Sequence, residues 1–340
     1  MKGLFDSFIM FFIALFGIGT VSTVAAVTST MTTSGAYNYA EYEESVSATA
    51  FMHLSAEASQ GRLLKMYTKY MELEDNKIDG WVHIEENTFD NNMSYALWVN
   101  EYKNDTYALI YAGTDHIEDT LDYVPMETSE KRSPQMNEAV EVAKTIKGTI
   151  AAKHAENPEV YGELNNLYVS GHSLGGYLSM YVVSDMVDSM LGYENVLITL
   201  DDIGFGDVTT IDELKTKLQC VTFGAPGVYY TELKLIPTTH WQKQKVEVNE
   251  AKHYDEIITQ HVNSRDPVGN LFQYKNLKTM RHLGTRKYYE VEKASLNTLT
   301  TFFRNNDNKS VVGIIVNAGV AFTVIYYHMP WVYVNVLNGK

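Results

Sequence analysis

The sequence is poor in cysteine. Its 340 residues hold one, Cys220, so no disulfide forms within the chain. Cys220 sits in an apolar run and reads as buried packing. CxxC and HExxH patterns are both missing, so nothing points to a structural or catalytic metal. Positive charge is also short: 27 Lys and Arg face 42 Asp and Glu, a net charge of -15. Such a surface repels phosphate backbones and excludes nucleic acid as a natural partner. It gains nothing from anionic headgroups either, so any lipid contact must be apolar. Internal repeats and low-complexity segments are lacking, which excludes solenoids and low-complexity linkers.

What is present is ordinary globular material, 45% hydrophobic and 20% charged, enough for a sizeable core. Phe8 to Val27 carries no charge. Residues 1–27 read as a cleaved secretion signal or an uncleaved anchor, since the small residues Val24-Ala25-Ala26 suit a cleavage site and the run is long enough to span a bilayer. Either reading puts the rest of the protein outside the cytoplasm. Residues 28–37 read as a linker and 38–340 as a single domain. Val311 to Tyr327, also uncharged, is interrupted by Gly313, Asn317 and Gly319 and reads as a buried helix or strand rather than a span.

Along that domain, helix is expected from Asn38 to about Glu74. Two β-rich runs, Tyr95 to Glu101 and Thr106 to Ala112, flank Lys103-Asn104-Asp105 as a hairpin. Ala139, Val142, Ala143, Ile146 and Ile150 share one helix face. Then come a strand at Leu167 to Ser170, a helix from Gly176 to about Met190, and strands at Cys220 to Phe223 and Ile257 to Val262. Strands alternating with helices imply a mostly parallel sheet covered on both faces.

The chemistry concentrates in "YVSGHSLGGYLS". Gly171-His172-Ser173-Leu174-Gly175, after a strand and before a helix, has the G-x-S-x-G pattern of a nucleophile elbow. The chain must reverse sharply there. Side chains at Gly171 and Gly175 would collide with neighbouring backbone, and Ser173 is forced into a strained conformation that exposes its Oγ. The Leu174 amide then points at a developing oxyanion. A serine needs a base, and the base an orienting carboxylate, in the chain order Ser, acid, His. Asp266, past a strand end, is the best acid. Asp201 and Asp202 are rivals that look like solvated loop. Beyond Asp266 only His282 and His328 remain as bases. His172 is expected to point elsewhere by strand alternation and to be structural.

Four blocks, "LIYAGTDHIEDTLDYV", "YVSGHSLGGYLS", "VTFGAPGV" and "VNSRDPVGNL", resemble the class 3 (fungal-type) lipases of the α/β-hydrolase superfamily. The resemblance spans residues 95 to 335. It implies an α/β-hydrolase fold, a mostly parallel central sheet flanked by helices, with a hairpin-linked N-terminal part and a short lid. It implies Ser173 as nucleophile, Asp266 as acid, and Thr114 and Leu174 as oxyanion amides. Asp115 to Met126 matches the lid, whose Ile117, Leu121, Val124 and Met126 would face the site or a lipid. The family's base comes late and is followed by aromatic residues. That favours His328, in "YYHMPWVYV", over His282. Ala112 stands where the family has arginine, and Asp115, Glu118, Asp119 and Asp122 make the lid polar. Esterase and phospholipase activity therefore stay open beside lipase activity. The expected partner is a lipid or small ester, with membrane contact through the N-terminal segment and the lid. No cofactor is implied, and oligomeric state is not legible. Rival readings are an acyltransferase on the same residues and a membrane-tethered, non-catalytic binding protein.

Overall fold

A computed structural model describes residues 39–58, 80–89, 93–113, 134–192, 196–226, 228–229, 252–266, 268–269, 280–281, 283–292 and 327–339. The signal or anchor, the linker, the lid and most of the 311–327 stretch lie outside them.

The described elements run α1 (Tyr39–Ser45), α2 (Ala48–Ala58), β1 (Trp81–Thr88), β2 (Ser94–Asn100), β3 (Thr106–Tyr111), α3 (Pro134–Glu156), β4 (Asn166–His172) and α4 (Leu174–Met190). They continue with α5 (Ile211–Lys217), β5 (Leu218–Phe223), β6 (Val228–Tyr229), α6 (Lys252–Asp255), β7 (Ile258–Asn263), β8 (Met280–Arg281), β9 (Thr285–Tyr289) and α7 (Pro330–Leu337). Seven strands form one sheet in the order β1-β2-β3-β4-β5-β7-β9. The first three pair antiparallel and the rest pair parallel. β6 and β8 form a separate antiparallel ribbon. This is the α/β-hydrolase arrangement, with the hairpin strands at one edge of a parallel sheet. Among the described residues no helix is long and apolar enough to cross a membrane.

Side-chain alternation sorts the core into two layers. Tyr95, Leu97 and Val99 of β2, Tyr107, Leu109 and Tyr111 of β3, and Leu167 and Val169 of β4 pack with α3 and α4. The intervening Ala96, Trp98, Ala108 and Ile110 pack on the other face with Phe51, Met52 and Leu54 of α2 and Trp331 and Tyr333 of α7. Every residue of β2 and β3 is buried. Full burial of each large apolar side chain contributes roughly 1.5–3 kcal/mol. This double burial leaves no polar face in the middle of the sheet, the condition for parallel strands.

The hairpin, the helix through Ile146 and the strands before and after Ser173 stand where the sequence places them. β1 and β9 were not expected. β1 reads WVHIEENT and is buried mainly at its first residue, and β9 reads TRKYY and is half-exposed or exposed throughout. Both are edge strands with little apolar signal. The expected helix from Asn38 to Glu74 is broken at Val46-Ser47, and its part beyond Ala58 lies outside the described residues.

Candidate active site

Ser173 is the single residue between β4 and α4. Ser173 has φ 58° and ψ -125° and is the one non-glycine residue at positive φ among those described. Such a conformation costs on the order of 1–3 kcal/mol and persists only where its surroundings enforce it. The enforcement is visible. The Ser173 amide donates to the Phe223 carbonyl at 2.9 Å. A Cβ on Gly171 would run into the backbone of Gly175, and one on Gly175 into the Tyr111 and Ala112 carbonyls. A Cβ on Gly176 would stand 2.8 Å from the Ala225 Cβ. The helix therefore starts in direct contact with the ends of β3 and β4 and with the chain after β5. Leu174, the first helical residue, is buried, and its amide belongs to the turn whose N–H groups have no intrahelical acceptor.

Serine at an N-cap ordinarily accepts a hydrogen bond from the helix. Ser173 makes no such bond. Its Oγ is buried without a hydrogen-bond partner among the described residues.

Asp266 follows β7 and is fully buried. Its carboxylate accepts from His328 Nδ1 at 2.9 and 3.0 Å, from the Val268 amide at 2.8 Å, and from the Tyr333 hydroxyl. His328 lies just ahead of α7. With Nδ1 at the carboxylate, its Nε2 is the free ring nitrogen, buried without a partner among the described residues. Ser173 Oγ and His328 Nε2 are not hydrogen-bonded to each other in this structure; such contacts often tighten only with substrate bound. Both residues adjoin the Phe223-Gly224 turn: His328 Cε1 is 3.1 Å from where a Gly224 Cβ would stand.

Tyr333 and Gly224 were not expected from the sequence. Tyr333 is buried, its hydroxyl donates to Asp266, and burial and the neighbouring carboxylate hold its pKa well above that of ordinary tyrosine. Gly224, at φ 57°, leaves the space that Asp266 and His328 occupy. The tyrosine lies five positions after His328 and the glycine within the "VTFGAPGV" block, so both were in sight but had no periodic signal.

His172 keeps the face that strand alternation assigns to it. Alternation turns it onto the α7 face of the sheet, and that face holds His328. Its ring lies 4.6 Å from the His328 ring, and its Nε2 donates to the His328 carbonyl at 2.6 Å. Burial, and then His328, push its pKa well below the usual imidazole value, so it is neutral. The rival acids stay apart: Asp201 is exposed beside Lys147 at 3.6 Å, and Asp202 accepts from Thr199 at 2.7 Å. Cys220 is buried. Thr114, His282, Ile117, Leu121, Val124 and Met126 lie outside the described residues.

The strand order, the strained elbow serine and an acid-histidine pair at the carboxyl ends of the strands define the class as an α/β-hydrolase fold. No family model and no curated protein matches the sequence. Solved structures do show a likeness. A Rhizomucor miehei lipase in complex with its propeptide aligns at 15% identity and a TM-score of 0.42, over 80% of this chain and 78% of that one. A fungal lipase-inhibitor complex aligns at 15% identity and 0.44, over 73% and 81%. Lipase II from Rhizopus niveus aligns at 13% and 0.40, over 74% and 81%. These are fungal lipases, the kind of protein the four sequence blocks resemble. At such scores the likeness carries no argument of its own, and the fold stands on the topology described above.

Proposed function

We propose that the protein is a serine hydrolase cleaving carboxylic esters of lipids or small alcohols. One observation carries the reading: a serine in the favoured capping position does not cap. Among the described residues its buried Oγ is unpartnered on a strained turn, and a buried imidazole nitrogen is unpartnered behind a carboxylate. Unpartnered buried polar atoms are destabilising by about 1–3 kcal/mol each, a loss that a fold retains where the atoms have chemistry to do.

In this reading His328 Nε2 takes the Ser173 proton as Oγ attacks the acyl carbonyl. Asp266 orients the ring and stabilises the imidazolium. The Leu174 amide, with Thr114 as its expected companion, receives the oxyanion, an effect of roughly 3 kcal/mol per donor. The imidazolium then protonates the departing alcohol. Water, deprotonated by His328, attacks the acyl-enzyme and releases the acid. No cofactor enters the cycle. The polar lid segment keeps esterase and phospholipase substrates beside acylglycerols.

The test is hydrolysis of p-nitrophenyl esters from acetate to palmitate by wild type, Ser173→Ala and His328→Ala. Loss of turnover in both variants is expected, and the chain-length profile then separates esterase from lipase. A wild type inactive on all of these and on detergent-dispersed lipids refutes the proposal.

A further inference from the structure

We propose that His172 is a positioning residue, whose ring fixes the backbone of the base His328 relative to the turn that carries Ser173. The inference rests on the function proposed above and adds a part to it. His172 is the last residue of β4 and precedes Ser173 directly. Its Nε2–H donates to the His328 carbonyl across 156 residues of sequence, at 2.6 Å. The two rings lie 4.6 Å apart at 33°.

The need for such a tie follows from the segment that holds His328. α7 starts with Met329 at its N-cap, without a side-chain cap, and with Pro330 in the first turn. Residues 327 and 328 are the last helical residues before the break at Met329, and the last carbonyls of a helix have no donor within it. Asn263 Nδ2 donates to the Tyr327 carbonyl at 2.5 Å, and His172 donates to the next one. Asn263 closes β7, three residues before Asp266, and His172 closes β4, one residue before Ser173. The two strands that present acid and nucleophile thus each hold one of two consecutive backbone carbonyls at the base. A shift of β4 relative to α7 is resisted at the one place where it would separate Ser173 Oγ from His328 Nε2.

An uncharged donor is required. During the reaction the His328 ring becomes cationic, and a second cation 4.6 Å away would oppose it. Glutamine satisfies the same need, since its amide nitrogen lies at about the reach of imidazole Nε2. Phenylalanine keeps the ring and loses the donor.

The experiment compares wild type, His172→Gln and His172→Phe in three measurements: kcat and KM on a p-nitrophenyl ester, thermal melting, and the histidine ring spectrum of ¹⁵N-histidine-labelled protein. In the spectrum, the Nδ1–H of His328 bonded to Asp266 is the signal followed. His172→Phe is expected to lower kcat by roughly 100-fold, the scale of a 1 Å misplacement, with KM little changed and the His328 signal broadened or lost. His172→Gln is expected to recover most of kcat and the signal. A Phe variant with wild-type kcat and an unchanged His328 signal overturns the inference, as does a Gln variant as impaired as the Phe one. If His172→Phe does not fold, His172→Asn, too short to reach the carbonyl, is read the same way. If the wild type cleaves no ester, the proposed function falls, and the ring spectra alone decide whether His172 positions His328.

Discussion

Replacing Gly224 with alanine puts the packing of the acid-base pocket to the test. Gly224 has φ 57°, where an alanine costs roughly 1–2 kcal/mol in backbone strain. The added methyl would fall on Asp266 Oδ2 and stand 2.9 Å from the Tyr333 hydroxyl and 3.1 Å from His328 Cε1. None of these is a flexible chain end: Asp266 and Tyr333 are fully buried and bonded to each other. Relief requires the carboxylate and the imidazole to move, and overpacking of this kind costs roughly 1–3 kcal/mol. The two contributions together give a loss of about 2–5 kcal/mol in urea unfolding. Ester turnover is expected to drop by about 100-fold, because the pair that moves is the one proposed to hold the proton acceptor. Gly148→Ala is the control. It sits in α3 with nothing within 4 Å of the new methyl, so it is expected to stabilise by about 0.5–1 kcal/mol and to leave turnover alone. A Gly224→Ala variant with wild-type turnover refutes the reasoning.

Asp266→Asn is expected to reduce kcat by about 10⁴-fold, since an amide holds the imidazole in the wrong tautomer, while Asp201→Asn leaves kcat unchanged in the same assay. Tyr333→Phe removes a donor to a buried carboxylate and is expected to lower stability in urea by about 1.5–3 kcal/mol. His261 is buried against Phe223 and Tyr289, and burial, with Lys287, pushes its pKa down to about 3. The unfolded state then binds the extra proton, so its contribution is full above about pH 6.5 and is lost as pH falls toward 3, by up to about 1.4 kcal/mol per pH unit. Urea unfolding at pH 7, 6 and 5 is expected to show a shallower acid loss for His261→Phe than for wild type. Glu57 has the opposite sign: burial and then Glu86 raise it to about 7, so the folded state binds the extra proton and the Glu57 contribution falls as pH rises from about 4.5 to 7. Glu57→Gln removes that opposing slope and is expected to steepen the acid loss in the same series.

The legible parts of the molecule are those with period or punctuation. β2 and β3 alternate between two apolar layers and are bounded by a turn, and α4 and β4 flank a glycine pattern with a steric meaning. The place of Asp266 just past a strand end was legible from the apolar run before it. The edge strands β1 and β9 were not, because an edge strand buries little and its residues are chosen by solvent. Tyr333 and Gly224 were hidden for a different reason. Each acts through a contact with Asp266, and a contact across the fold leaves no spacing in the chain. His172 shows the limit of alternation as a guide. It gives the face correctly, but not what another segment brings to that face.

The last piece of the site to emerge during synthesis is α7 with the histidine before it. Without that segment, Phe223 of β5 lacks its neighbours Trp331 and Tyr333 in the core, and Asp266 lacks the His328 and Tyr333 donors. In the proposed reading, the proton acceptor arrives together with the packing around Phe223, so the capacity to react and that part of the core are acquired together.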